Sequence, residues 1–173
     1  SLPNDFVRDK DAVSACAFFA AMGADATDQK KSLYDWLIDM YVEFGFYKEH
    51  LLNLVRKGQQ GEQEIRAMME KFRNNPPASI QGTRVVRLLD YKTLKEKDLL
   101  TGQEKKLDFP KSDVLQFYLE DSTKVSVRPS GTEPKIKFYI SVSTILESAD
   151  QFENKNALLD QKIKGIESYL QSA

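Results

Sequence analysis

The chain has 173 residues, 41% hydrophobic and 29% charged, which suits one ordinary globular domain or one and a half and argues against disorder. Lys and Arg total 25 against 26 Asp and Glu, a formal net charge of -1, so no overall positive field exists to hold nucleic acid and any anion site must be local. Cys16, a single cysteine, excludes an internal disulfide framework and points to a reducing cytoplasm, and its apolar neighbours make it read as an inert core thiol.

The chain opens Ser1-Leu2-Pro3-Asn4, without Met, and runs almost at once into a helical pattern, as expected of a fragment of something longer. A basic n-region and a small-residue cleavage site are both missing, so no export signal is expected. Asp9 or Asp11 can cap a helix whose body, Val13 to Met22, is apolar on nearly every side and is expected to stop at Gly23. The apolar run Ala12 to Ala24 is about a dozen residues, well short of the roughly 20 a membrane helix needs, so it predicts a buried helix with neighbours on several faces.

A second helix is expected from Thr27 or Asp28, with Leu33, Trp36, Leu37, Met40, Tyr41 and Phe44 at helical spacing, all predicted core, and an end at Gly45. Residues 46–57 fit a strand or a short helix, with a lean toward strand. His50, the sole histidine, has no second His or Cys at ligand spacing and reads as a packing or surface residue. The polar, glycine-rich stretch Lys57-Gly58-Gln59-Gln60-Gly61 predicts a domain boundary, giving parts 1–58 and 59–173.

An amphipathic helix follows from Glu62 to Arg73, with Ile65, Met68, Met69 and Phe72 inward, stopped by Asn74-Asn75-Pro76-Pro77. Thr83 to Tyr91 reads as a strand, and 92–112, rich in Lys, Asp, Glu and Gly with a turn at Thr101-Gly102, as a solvated excursion. Three strands come next, Val114 to Leu119, Lys124 to Val127 and Lys135 to Val142, the first two joined at Glu120-Asp121-Ser122. In the last, Ile136, Phe138 and Ile140 face one way and Lys135, Lys137 and Tyr139 the other. A final helix, Asn154 to Leu170, carries a stripe of Leu158, Leu159, Ile163, Ile166 and Leu170. The fold class is therefore α+β, with a roughly four-stranded, mostly antiparallel sheet covered by two helices.

The stretch Val125 to Ile140 reads as strand, anion-binding turn, strand. Arg128 offers a planar fork of donors, Ser130 and Thr132 offer hydroxyls, Gly131 frees backbone N–H groups, and Lys135 adds a mobile positive charge. A phosphate presents several oxygens and up to two charges, so converging donors with compensating cations suit it. Pro129 and Pro134 restrict the backbone and lower the entropy lost on organising around an anion. The bland alternative is a well-made hairpin loop with an incidental Arg and Lys.

The run Arg128-Pro129-Ser130-Gly131-Thr132-Glu133-Pro134-Lys135 closely resembles the phosphate-binding loop in the last domain of the phosphohexomutase superfamily, which includes phosphoglucomutases, phosphomannomutases and phosphopentomutases. The unit from about 62 to 173 is similar to that family's fourth domain, and Val7-Arg8-Asp9-Lys10-Asp11-Ala12-Val13 resembles the segment leading into the closing helices of its third, an α/β domain. The resemblance covers essentially the whole chain and falls in the phosphoglucomutase and phosphopentomutase-like branch.

The resemblance implies an intramolecular phosphotransfer between the 1-position and the 6- or 5-position of a sugar, through a phosphoserine and with Mg2+, both supplied by upstream domains. Arg128, Ser130, Gly131, Thr132 and Lys135 would grip the phosphate that is not reacting, and Lys10 becomes a candidate for proton transfer or phosphate contact. Glucose or mannose 1- and 6-phosphates are the implied partners, a sugar bisphosphate the implied intermediate, and the 58–61 region the implied hinge of a clamp.

The chain itself holds no Thr-Ala-Ser-His-Asn type serine, no Asp-x-Asp-x-Asp magnesium loop and no Gly-Glu-x-Ser sugar loop, so alone it is expected to bind phosphate weakly at best and to catalyse nothing. A non-catalytic phosphate-binding or interaction module is the alternative. Nucleic-acid binding through Arg128, Lys135 and Lys137 is disfavoured by the near-neutral charge and the missing aromatic platform, and no membrane partner is expected.

Overall fold

The computed structural model describes residues 11–56 and 58–172. They fall into two compact units, one of residues 11–46 with 145–152 and the other of residues 47–144 with 153–172.

In the first unit the Asp11 carboxylate accepts from the Val13 and Ser14 amides and so caps α1 (Ala12–Asp28), satisfying two of the N–H groups a helix start leaves orphaned. The helix does not stop at Gly23. An isolated glycine costs only about 1 kcal/mol in a helix, and the break comes instead at Lys30, which adopts a φ of 58°. Helix α2 (Leu33–Phe44) consequently starts later than the periodicity predicts, under a capping box in which Ser32 and Asp35 satisfy each other's backbone donors.

Tyr41, Phe46 and Phe152 gather in this unit, with Tyr41 and Phe46 ring centroids 4.5 Å apart and Phe46 and Phe152 centroids 5.1 Å apart. The expectation of a buried first helix fails: Val13 is 81% exposed and Phe19 64%, and Cys16 is exposed rather than a core thiol. In α2 only Ile38 is buried, while Trp36 and Tyr41 are half-buried and Phe44 is exposed. Two helices can shield only one stripe of each other, so among the described residues a helix that is apolar all round keeps most of its surface open.

The second unit is built on strands β1 (Phe46–Val55), β2 (Ser79–Ile80), β3 (Thr83–Asp90), β4 (Lys95–Asp98), β5 (Glu104–Lys106), β6 (Leu115–Leu119), β7 (Lys124–Pro129) and β8 (Lys135–Thr144). Their order is β1-β8-β7-β6-β3-β4-β5, with β2 attached to β3. The pairings from β2 through β8 are antiparallel. The mixed α+β class holds, but the sheet has eight strands rather than about four.

Strand β1 bears out the lean toward strand for residues 46–57. Two of the extra strands have a clear reason to evade a sequence reading. Strands β4 and β5 lie in the segment expected to be a solvated excursion and consist almost entirely of Lys, Glu and Asp. They pair across the Thr101-Gly102 turn through contacts such as Lys95 to Glu104 at 2.8 Å, and their charge protects an exposed sheet edge.

Helices α3 (Gly58–Asn74) and α4 (Phe152–Ser172) contribute the other layer. Residues 58–61, expected as a linker, are the first turn of α3. A Cβ on Gly61 would lie 2.6 Å from the Arg56 Cβ, so α3 starts hard against the end of β1 and only glycine fits there.

Ile136, Phe138, Ile140 and Val142 of β8 are 0% exposed, and Phe72 of α3 meets both Phe117 and Phe138 edge-on. From α4, Leu159, Ile163, Ile166 and Leu170 are buried, while Leu158, expected on the same stripe, is exposed. An ion pair of Lys48 with Asp160 and a hydrogen bond between His50 and Glu167 tie β1 to α4. At its β1 and β8 end the opposite face of the sheet is open among the described residues: Tyr47, Leu51 and Val55 of β1 and Tyr139 of β8 are exposed on it.

Candidate phosphate-binding loop

Strand β7 ends at Pro129 and β8 begins at Lys135, and the turn between them is fixed by backbone bonds at its base. The Ser130 N–H donates to the Lys135 carbonyl at 2.8 Å, leaving 131–134 as the tip. The Lys135 N–H donates to the Glu133 carbonyl at 2.7 Å, a three-residue turn centred on Pro134, whose locked φ suits it. The Arg56 N–H donates to the Pro134 carbonyl at 2.9 Å, which braces the loop against the end of β1. At the tip itself the Thr132 N–H makes only a long 3.5 Å contact with Ser130 Oγ.

Gly131 has no left-handed φ, and a Cβ added to it would meet nothing within 4 Å. The fold of the loop therefore does not by itself demand glycine at this position. A backbone that something must approach closely does.

The register places Arg128 directly opposite Lys137. Alternation puts Lys135, two residues back along β8, on the same uncovered face as Lys137. Like charges directly opposed across strands are destabilising. Arg128 is exposed, and neither it nor Lys137 takes an ion pair among the described residues. Arg87, elsewhere on this face, shows the ordinary solution: its guanidinium sits 4.1 Å from the Tyr118 ring centre and 3.5 Å from Glu96. Lys135 is engaged by the Glu133 carboxylate, and that hydrogen bond holds Glu133 below the usual carboxylate range.

A cavity of about 350 Å³ lies between the loop tip and the start of α3, lined by Gly58, Glu62 and residues 130–134. Its size is at the low end for small-molecule sites. Among the described residues its lining, however, includes Glu62 and Glu133 and no Arg or Lys. A dianion is better served on the other flank of the same loop, where Arg128, Lys137 and Lys135 stand together.

Arg128, Ser130, Gly131, Thr132 and Lys135 thus share one hairpin, braced by the end of β1. Lys10 lies outside the described residues. Lys137 joins the group, a residue the motif alone does not single out. The signal was present in the alternation of the last strand, but pairing Lys137 with Arg128 requires the register, which depends on the loop geometry. Among the described residues no group of three or more His, Cys, Asp or Glu could hold a metal ion, so no metal step is assigned to them. No helix there is long and apolar enough to cross a membrane.

No protein-family model matches the chain. Known proteins do. It is 35% identical over 152 residues to the phosphoglucomutase of Staphylococcus haemolyticus, a match spanning 88% of this chain and 27% of that protein. It is 38% identical over 141 residues to the phosphoglucomutase of Staphylococcus aureus, spanning 82% of this chain and 25% of the relative. The Staphylococcus epidermidis phosphoglucomutase is 33% identical over 142 residues, spanning 82% and 26%.

Among solved structures, the open form of parafusin, a phosphoglucomutase from Paramecium, superposes with a TM-score of 0.54 over 97% of this chain and 28% of that one. At 16% identity the likeness bears on the fold alone. The chain spans about a quarter of the length of the curated relatives it matches. Over more than four-fifths of its length the chain is similar in sequence to one part of these phosphoglucomutases.

Proposed function

We propose that this chain is the phosphate-gripping part of a phosphosugar mutase, and that the loop from Arg128 to Lys135 holds the substrate phosphate that is not being transferred. The observation that carries this reading is the cation group on the open sheet face. Arg128 faces Lys137 across the strands, and among the described residues neither takes a direct ion pair, an arrangement that costs stability unless an anion bridges them. Ser130 and Thr132 hydroxyls and the open backbone at Gly131 add neutral donors at the same turn.

In such an enzyme the chemistry lies elsewhere. A phosphoserine, Mg2+ and a loop that reads sugar hydroxyls belong to upstream domains of the same polypeptide. Helices α1 and α2 are the closing helices of the third domain, whose uncovered apolar surface suits packing against the rest of it, and the sheet unit is the fourth domain. Mg2+ supplies charge stabilisation during transfer, and the residues of this chain bind and orient. Fixing the remote phosphate holds the sugar so that its reacting end meets the phosphoserine, converting binding energy into orientation. The grip must accept either phosphate of a bisphosphate intermediate that turns over between half-reactions. Substrates are hexose or pentose 1-phosphates and their 6- or 5-phosphate isomers in the cytoplasm, and the isolated chain is inactive.

The test is Arg128→Ala in the full-length enzyme, with substrate dependence and turnover measured for sugar 1-phosphate. KM is expected to rise and kcat to fall. Unchanged kinetics refute the assignment. For Lys10, replacement by Met is expected to slow phosphoryl transfer in a single turnover with little effect on substrate affinity.

A further inference from the structure

The Lys135 ammonium, which the proposed phosphate needs, already lies on the carboxylate of Glu133. The pairing is built into the loop. Glu133 and Lys135 flank Pro134, and the hydrogen bond from the Lys135 N–H to the Glu133 carbonyl brings the two residues round the proline, so their side chains meet at little further conformational cost. Glu133 has no other cation to satisfy it among the described ion pairs, and Lys137 only adds to the field around it. Among the described residues lining the cavity on the far side of the loop there is no cation for Glu133 either, and Glu62 there is turned to Arg66.

We infer that Glu133 is an internal competitor for Lys135, a positioning residue that weakens the hold of the loop on phosphate and so sets how readily phosphate leaves. This rests on the reading of the loop as a phosphate site. A phosphate arriving at Arg128 and Lys137 recruits Lys135 only by displacing Glu133, and Glu133 returns as the phosphate departs. Being tethered two residues away, the carboxylate competes at a high effective concentration. A site without it would bind more tightly, and a mutase whose intermediate must be released and turned has a use for a grip that lets go.

The 173-residue chain is titrated with inorganic phosphate by calorimetry as wild type, Glu133→Gln, Lys135→Met, Glu133→Gln with Lys135→Met, and Arg128→Ala, with circular dichroism confirming each fold. Glu133→Gln is expected to tighten phosphate binding roughly three- to fivefold, the factor an exposed ion pair is worth. In the Lys135→Met background the same change is expected to do nothing, since the contested ammonium is gone. Glu133→Asp should restore the wild-type affinity.

Unchanged or weaker binding by Glu133→Gln overturns the inference. So does an equal gain with and without Lys135, which would trace the effect to repulsion of the ligand rather than to competition. If Arg128→Ala loses phosphate while Glu133→Gln matches wild type, the competition fails and the phosphate site stands. If Arg128→Ala binds as wild type does, the site itself fails and the inference with it.

Discussion

The two faces of the sheet solve different problems. On the face beneath α3 and α4, Phe117, Phe138, Leu115, Ile136 and Val125 are essentially excluded from water, and the buried carboxylate of Asp90 is paired with Arg73. On the open face, the end near the turn carries three cations, two of them opposed across strands with no direct ion pair to either among the described residues. The covered face is arranged for stability. The open end is arranged against it, and the ordinary remedy is in use a few strands away, where Arg87 has both an aromatic ring and Glu96. A local cost that the same sheet avoids elsewhere marks function rather than folding.

Substitutions should separate the faces. The largest effect is expected on the covered face: Phe138→Ala, at a 0% exposed position in contact with Phe72, should cost about 3–5 kcal/mol in urea unfolding. Next comes Arg73, which joins α3 to the sheet through Asp90 at 3.1 Å, reaches Asp113 at 2.6 Å and pairs with Glu70 of its own helix at 2.8 Å, with its side chain only 10% exposed. Arg73→Met strands the buried Asp90 carboxylate and should cost about 2–3 kcal/mol.

A smaller effect should follow acidification. Burial pushes the Asp121 carboxyl up, but hydrogen bonds from Lys162 and Thr123 outweigh it and leave the group below its ordinary value. A hydrogen bond from Lys92 and the charge of Arg73 likewise depress Glu70 against its desolvation. Both contribute stability that is complete above the unfolded carboxylate pKa of about 4 and is lost as pH falls through the lower folded values. Thermal unfolding followed from neutral pH should therefore hold steady and then drop below about pH 4. The smallest change is on the open face, with the opposite sign: Lys137→Gln, by relieving Arg128, should raise stability by about 0.2–1 kcal/mol while weakening phosphate binding.

Much of the covered face was legible in the sequence. Alternation in β8 separates Ile136, Phe138 and Ile140 from Lys135, Lys137 and Tyr139, and the structure buries the first set completely. The α4 stripe reads correctly except for Leu158, because helical spacing fixes an arc but not its edge. The charged strands β4 and β5 escape because strand propensity tracks burial, and these strands bury little. Gly23 misleads because a glycine ends a helix only where a left-handed φ follows, and that φ falls at Lys30.

At the loop, the residue types point to an anion without any structure, but their placement does not. Lys137 enters only through register, and the pairing of Glu133 with Lys135 only through the turn at Pro134. The burial expected of α1 was out of reach for another reason: apolar composition announces that a surface needs a partner, not where the partner is.

The contrast between the faces is tested most directly by one variant read two ways. Arg128→Ala in the 173-residue chain is measured for phosphate affinity by calorimetry and for stability by thermal unfolding. Phosphate affinity should fall about tenfold or more, as for loss of a charged hydrogen-bonding partner, while the unfolding midpoint stays the same or rises. Undiminished phosphate binding together with a lowered midpoint would show Arg128 to be a structural residue and would contradict the division of labour between the two faces.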